Sequence, residues 1–447
     1  MNQRQAPSLA QVFYQRKMAA LLLLGFSSGL PAYLTSRTLQ AWMTVEGVDL
    51  GTVGKASLLG LPLSLKFLWA PFMDRYVPPF LGRRRGWLIV TQVLLGLAIA
   101  AMSLHDPKQA LTLLFANAVI IAFLSASQDI AFDAYRIDAL DDRELGTGAA
   151  LGVLGYRAAM IFVGGVAFML ADHMPWNGVY LMMAATIVIG FAGTFLAPEP
   201  VLRDGPPATL ATAVVQPFLE FLRRSGLALG VVLLLFVLLF SFADRLVQNM
   251  AVPFLLKQGY TQTEIGAIQN ALGLAATMVG VVIGGVMIAR LGINRSIWIV
   301  SFLQIGSNLA YYFLSIRPKD TILLTAAITV ENLCGGLVTA AFVSYMMSLC
   351  SRQYAATQYA LLSSMMAVSR DVMVAPAGSI AERTGFPTFF LLTIAAGIPA
   401  LLLLPVVAPL TRDTPRGAAE HTGEVALAPD DPLADPNAPA PRTAPRE

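Results

Sequence analysis

The chain has 447 residues, 56% of them hydrophobic and 13% charged, with a mean hydropathy of +0.66. A soluble domain carries about 25% charged residues, so this composition excludes an ordinary water-surrounded core and asks for a bilayer as solvent. The net charge of +3 and the lack of a basic stripe with interleaved aromatics exclude nucleic acid as a partner, and Cys334 and Cys350 have no metal-site spacing.

A membrane helix needs roughly 20 mostly apolar residues. Residues 1–17 precede the first such run, at 18–36, which has no small-residue cleavage site and is read as a span rather than a signal peptide. Further runs at 51–72, 87–104, 110–134, 147–171 and 177–197 complete a six-helix half over 18–197. Residues 198–226 form a linker. It begins with Pro198, Pro200, Pro206 and Pro207 and becomes amphipathic, with Leu210, Val214, Phe218, Phe221 and Leu222 at helical spacing, closed by Arg223 and Arg224. A helix of this kind is expected to lie on the membrane surface. Runs at 227–254, 263–289, 294–315, 321–349, 355–380 and 386–410 make a second half over 227–410, and the Pro, Ala and Asp rich tail 411–447 is expected to be disordered. The expected fold class is an all-α membrane protein of about 12 transmembrane helices in two six-helix halves. Lys and Arg concentrate before the first span and in the even-numbered loops, at Arg16, Lys17, Arg75, Arg83, Arg84, Arg85, Arg143, Arg223, Arg224, Arg290, Arg295 and Arg352. This places both termini in the cytoplasm.

Charge inside a span costs about 2.5–3.5 kcal/mol and is normally turned to a cavity or a partner. Here Arg37 falls in span one, Lys66 in span two, Asp129 in span four and Arg157 in span five. Asp244 and Arg245 follow in span seven, Glu331 in span ten, and Arg370 with Asp371 in span eleven. The interiors of spans three, six, nine and twelve carry none, so every third helix is expected to face lipid while the others line one central space. That is the plan of a major facilitator transporter built from inverted three-helix repeats. The loop after span two, Asp74-Arg75 followed by Gly82-Arg83-Arg84-Arg85, resembles the cytoplasmic signature of that superfamily. So does Arg143-Glu-Leu-Gly146-Thr-Gly148 after span four; the matching place in the second half, Gly285 to Arg295, lacks the acid.

Ser125, Asp129, Asp133 and Arg136 recur at four, four and three residues and share one face of span four. Two roles compete for the carboxylates: a proton carrier in a cavity, and a static ion pair in a gate. Asp129, deeper in the span, is read as a proton carrier or substrate contact, and Asp133, near the cytoplasmic end, as part of a gate with Asp74, Arg75, Arg83, Arg136 and Arg143. The three histidines, His105, His173 and His421, lie outside the spans. The candidate proton carriers are therefore Asp129, Asp244, Glu331 and Asp371. Arg37, Arg157 and Arg370 suit anionic cargo groups, with internal ion pairs as the other reading. Gln128, Gln248, Asn249, Gln269, Asn270 and Asn332 suit sugar and peptide groups, or interhelical hydrogen bonds. Tyr33 and Tyr156 could stack on sugar rings or pack. Gly164-Gly165, Gly284-Gly285 and Gly335-Gly336 read as close helix contacts. Phosphate-loop, nucleophile-elbow and zinc-helix patterns are missing, so neither an enzyme nor a cofactor or resident metal is expected.

Several strings resemble the AmpG-type muropeptide permeases: Leu24-Gly-Phe-Ser-Ser-Gly-Leu-Pro31, Leu39-Gln-Ala-Trp-Met-Thr44, Lys66-Phe-Leu-Trp-Ala-Pro-Phe-Met-Asp-Arg75 with Gly82-Arg-Arg-Arg-Gly-Trp87, Ser125-Ala-Ser-Gln-Asp-Ile-Ala-Phe-Asp133, Glu331-Asn-Leu-Cys-Gly-Gly336 and Ala356-Thr-Gln-Tyr-Ala-Leu-Leu362. The resemblance runs over residues 18–410. It implies proton-driven import of anhydro-muropeptides, N-acetylglucosamine linked to anhydro-N-acetylmuramic acid and its peptides, by a monomer in the bacterial inner membrane. In a host with an inducible β-lactamase, such import would feed the induction signal. Members often carry a lysine three residues before the span-seven acid. Here Ser241 stands there and Arg245 follows Asp244 instead, so that arrangement is not carried over. Two other readings stay open: a carrier of another acidic solute such as an acyl-coenzyme A, and a non-transporting membrane signal transducer.

Overall fold

The computed structural model describes residues 15–48, 59–200, 205–207, 209–261, 264–265, 268–368, 373–374 and 376–410, and among these no strand occurs. The side chains of Arg37, Ala211, Asn270, Ala271 and Val368 lie outside the description, as do Arg370, Asp371 and the tail.

Ten helices are long and apolar enough to cross a bilayer among the described residues. In chain order they are span one (Arg16–Val45), span three (Arg83–Met102), span four (Leu111–Ala139), span five (Leu145–Ala171), span six (Trp176–Leu196), span seven (Leu227–Lys257), span eight (Leu274–Leu291), span nine (Ile293–Ser315), span ten (Thr321–Leu349) and span twelve (Phe386–Val407). The two remaining runs are described in pieces, and residues 51–58, 369–372 and 375 of them lie outside the described residues. Span two is described as the pieces Leu61–Leu65, Lys66–Leu68 and Ala70–Arg75, and span eleven as Ala355–Val368 and Ala377–Thr384. Proline explains part of this: Pro62 and Pro71 stand in the first turns of their pieces, and Pro376 precedes Ala377. Proline has no N–H to continue a helix but suits its start. Span one runs nine residues past the expected end at 36, through a π-turn at Leu34–Thr38, because Leu39, Trp42 and Met43 bury beyond it.

Glycines bring the helices together. A Cβ on Gly25 would meet the carbonyl of Gly152, and one on Gly155 the carbonyl of Leu22, so spans one and five touch backbone to backbone. Gly280 and Gly336 do the same for spans eight and ten. Gly284 and Gly285 also sit at close contacts, but Gly165 and Gly335 meet nothing within 4 Å, so those two glycines are not at helix contacts. A Gly155→Val substitution should cost about 1–3 kcal/mol or more from overpacking. It should also remove most of the monodisperse peak in detergent size-exclusion chromatography, whereas Gly165→Ala should leave that peak unchanged.

As spans four, five and eight do, spans three, six, nine and twelve carry exposed apolar residues, among them Leu97, Phe195, Phe302 and Leu402. Their inner faces are more polar than the absence of charge suggests: Gln92, Thr194, Gln304, Asn308 and Thr393 are all buried there. Glu199, just past span six, accepts the backbone N–H groups of Arg84 (3.0 Å) and Arg85 (3.1 Å) and so caps span three.

The linker helix, Leu210–Ser225, starts at a Thr209–Thr212 capping box and ends at Gly226, whose φ of 77° joins it directly to span seven. Its Phe221 is buried while Leu210, Val214, Val215 and Phe218 stay exposed. Besides an apolar face suited to a membrane surface, the helix has a docked face. The Gln358 side-chain amide donates to the Pro217 carbonyl (3.0 Å) and to Glu220 (2.6 Å), and Arg224 donates to the Leu349 carbonyl (2.5 Å).

Candidate functional site

The halves meet at the end of the bundle that carries the arginine-rich loops. Here Gly146 of span five packs on Gly285 and Ile288 of span eight, and Gly285 packs on Ala150. Ser344 of span ten donates to the Leu145 carbonyl at 3.3 Å. Arg352 reaches the Leu140 carbonyl (3.2 Å) and the Asp141 carboxylate (3.7 Å).

Asp74 is the centre of this closure and is 0% exposed. Its Oδ1 accepts from Arg83 and Arg84, each at 3.1 Å, and its Oδ2 accepts the backbone N–H and the hydroxyl of Thr357, each at 2.8 Å. Thr357 lies in the first turn of span eleven, where free N–H groups and the helix dipole favour an anion. Arg83 also donates to the Gln353 carbonyl (3.2 Å), and Arg84 to Asp138 (2.5 Å). Two expected gate residues stand elsewhere. Arg75 lies over the Tyr76 ring, and Arg143 is exposed to solvent, the ordinary place for a cation with water in reach. Thr357, Arg84 and Asp138 take the places that charge-counting gave to them.

Span four carries charge inward from the gate, as its spacing predicts. Arg136 donates to Asp133 and lies over the Phe132 ring (4.7 Å) and the Tyr359 ring (5.7 Å), the latter on span eleven. Asp133 also pairs with Lys66 of span two at 3.2 Å, and both are buried. One turn deeper, Asp129 accepts a hydrogen bond from Ser28 of span one and lies within electrostatic reach of Lys66, Asp133 and Arg136. Gln128 is 1% exposed and donates to Ser27 at 2.9 Å, so it ties spans one and four together and does not face cargo.

Arg157 lies seven residues beyond Ala150, on the face of span five that begins in the inter-half contact. At about 1.5 Å rise per residue it stands about 10 Å further along the axis. It is half-buried and has no hydrogen-bond or ion-pair partner among the described residues. Elsewhere along the contact of spans one and five, Tyr33 leans on Gly164, Tyr156 packs its backbone on Gly29, and Phe26 meets Phe162 at 5.6 Å between ring centres.

The acids of the second half form a separate group. Asp244 accepts from Gln248 (2.8 Å), whose carbonyl oxygen accepts from Arg245 (3.1 Å), and Glu331 accepts from the Tyr311 hydroxyl (2.5 Å). The electrostatic neighbours of Asp129 are Lys66, Asp133 and Arg136, and those of Asp244 are Arg245 and Gln304. The electrostatic neighbours of Asp129 thus lie in the first half and those of Asp244 in the second. Asn332 bonds the Ile328 carbonyl (2.8 Å) and accepts from Thr277 (3.1 Å), an interhelical role. Gln248 and Asn249 are exposed and Gln269 is half-buried.

A family model described as Major Facilitator Superfamily matches residues 18–374. The chain is 47% identical over 398 residues to the anhydromuropeptide permease of Escherichia coli (strain K12), spanning 89% of this chain and 80% of that protein. It is 32% identical over 406 residues to "Putative transporter AmpG 4" of Rickettsia conorii, spanning 89% and 97%. Among solved structures, the proton:xylose symporter XylE superposes with a TM-score of 0.66 at 10% identity, over 92% of this chain and 99% of that one. FucP in its outward conformation superposes with a TM-score of 0.65 at 13% identity, over 87% and 98%.

Proposed function

The chain belongs to the Major Facilitator Superfamily and, within it, to the family of the anhydromuropeptide permeases, and from that premise we propose that it imports anhydro-muropeptides across the inner membrane, driven by the proton gradient. Both termini and the arginine-rich closed end face the cytoplasm, where Lys and Arg are retained. Cargo enters from the opposite, periplasmic side, and a single chain supplies the whole path.

The observation that carries the mechanism is the stair of charge on span four. Asp129, hydrogen-bonded to Ser28, stands one turn from the Lys66–Asp133–Arg136 group, and Arg136 abuts Tyr359 of the other half. A proton taken up by Asp129 removes one negative charge beside Lys66 and Arg136, changing the balance that holds the closed end. In alternating access, the two halves then rock about the site and the proton leaves on the cytoplasmic side. Asp133 is already committed to two cations, so it gates rather than carries.

Arg157 is the side chain best suited to an anionic cargo group. A guanidinium with no partner among the described residues can clamp a carboxylate through two parallel hydrogen bonds. Arg157→Gln keeps polarity and removes the charge. Its KM for labelled anhydro-muropeptide uptake in vesicles should rise by about 10- to 100-fold, the weight of a charge-assisted hydrogen bond. An unchanged KM removes Arg157 from the site. Failure of the wild-type chain to accumulate that cargo under an inward proton gradient rejects the import reading, and competition by an acyl-coenzyme A would redirect it.

A further inference from the structure

Span nine carries no charge, yet one of its faces is polar and buried. Gln304, Asn308 and Tyr311 follow at four and three residues, which puts them on one side of the helix. Asn308 is 0% exposed and Gln304 is 4% exposed. That side looks at two carboxylates from other spans: the Tyr311 hydroxyl donates to Glu331 at 2.5 Å, and Gln304 lies within electrostatic reach of Asp244. The two carboxylates are within electrostatic reach of each other, and Cys334, one turn after Glu331, is within reach of both.

Asn308 stands between these two anchoring residues. Neither atom of its side-chain amide has a hydrogen-bond partner among the described residues, and the Gln304 Oε1 has none either. Buried polar atoms are seldom left unpaired, because each keeps its desolvation cost. The orphans are two acceptors and one donor. A metal cation would satisfy the oxygens and be repelled by the N–H group, whereas water donates to the oxygens and accepts from the nitrogen.

We infer that the C-terminal half holds a hydrated carboxylate pair, Asp244 and Glu331, which binds one shared proton through water ordered by Asn308 and Gln304. The facing groups support this by charge. Asp244 has Arg245 beside it and Gln248 donating to it at 2.8 Å; Glu331 has the Tyr311 hydroxyl; Cys334 is within electrostatic reach of both. Two carboxylates, one guanidinium and one proton sum to zero, whereas two ionised acids in this apolar setting would repel each other. The proton comes from bulk water, forms an O–H bond on one carboxyl while the other stays ionised, and returns to bulk water.

The inference rests on the proton-driven reading above, but its test needs no cargo, so the two fail separately. The purified full chain in detergent is titrated without buffer between about pH 5 and pH 9 and the protons released are counted. Asp244→Asn and Glu331→Gln should each release about one proton fewer than wild type, and the double variant also about one fewer. A loss of about two in the double variant, or none in the single variants, overturns the shared proton. Asn308→Leu keeps both acids and should move the titration midpoint by about one pH unit; an unmoved midpoint overturns the ordering role. Tyr311→Phe must move it as well, which decides the case if an acid variant fails to fold. Exchange of potassium for sodium should change nothing, and sodium-dependent proton release would overturn the water-filled site in favour of a cation.

Discussion

Replacing Asp129 by Asn should abolish gradient-driven accumulation while leaving counterflow, the exchange of labelled for unlabelled cargo, largely intact. The asparagine accepts the same Ser28 hydrogen bond and has nearly the same shape, so the contact between spans one and four survives. What is lost is the ability to alternate between charged and neutral forms. Each net positive charge carried inward across 100 mV is worth about 2.3 kcal/mol, roughly 50-fold in accumulation. A wild-type vesicle should therefore concentrate cargo, and the variant should level near the outside concentration. Equal protein levels on an immunoblot and retained counterflow separate this from misfolding. Accumulation at the wild-type level in the variant would end the coupling role of Asp129.

Asp74→Asn should open the cytoplasmic end. The carboxylate accepts side-chain or backbone hydrogen bonds from Arg83, Arg84 and Thr357 and is wholly buried. An amide keeps one acceptor and turns N–H groups toward donors. Breaking one partner of a buried ion network costs about 3–5 kcal/mol, so the closed population should fall by about 100-fold or more. Ser344→Cys offers a gauge, since Ser344 is 0% exposed at the inter-half contact. In a background with Cys334→Ser and Cys350→Ala, maleimide should react with that position far faster once Asp74→Asn is added. Unchanged labelling would mean that the end is held by packing alone.

Much of this was legible in the sequence, for physical reasons that differ by element. Hydropathy finds the ten continuous spans because bilayer thickness fixes their length. It gives no warning that span two breaks near Trp69, since proline counts little in a hydropathy average. The inward stripe on span four follows from residue spacing alone, and the structure places all of Asp129, Asp133 and Arg136 in one connected group. Charge pointed to Arg75 and Arg143, but a cation near water needs no partner, while the hydroxyl and N–H of Thr357 hold Asp74 without any charge. Thr357 and Gln358 did stand in a string shared with the permease family. Asn332 and Gln128 look like binding groups by composition, yet their amides join neighbouring helices. No signal in sequence separates those uses, because both need a donor and an acceptor in apolar surroundings.

The bond between Asp74 and Thr357 joins residues 283 positions apart. A ribosome adding about 5–20 residues per second needs on the order of tens of seconds to cover that stretch. For all that time the nascent first half holds a buried acid and two arginines whose final partner has not been made. A chain truncated before span eleven would keep this defect permanently and should be a preferred substrate for membrane quality-control proteases.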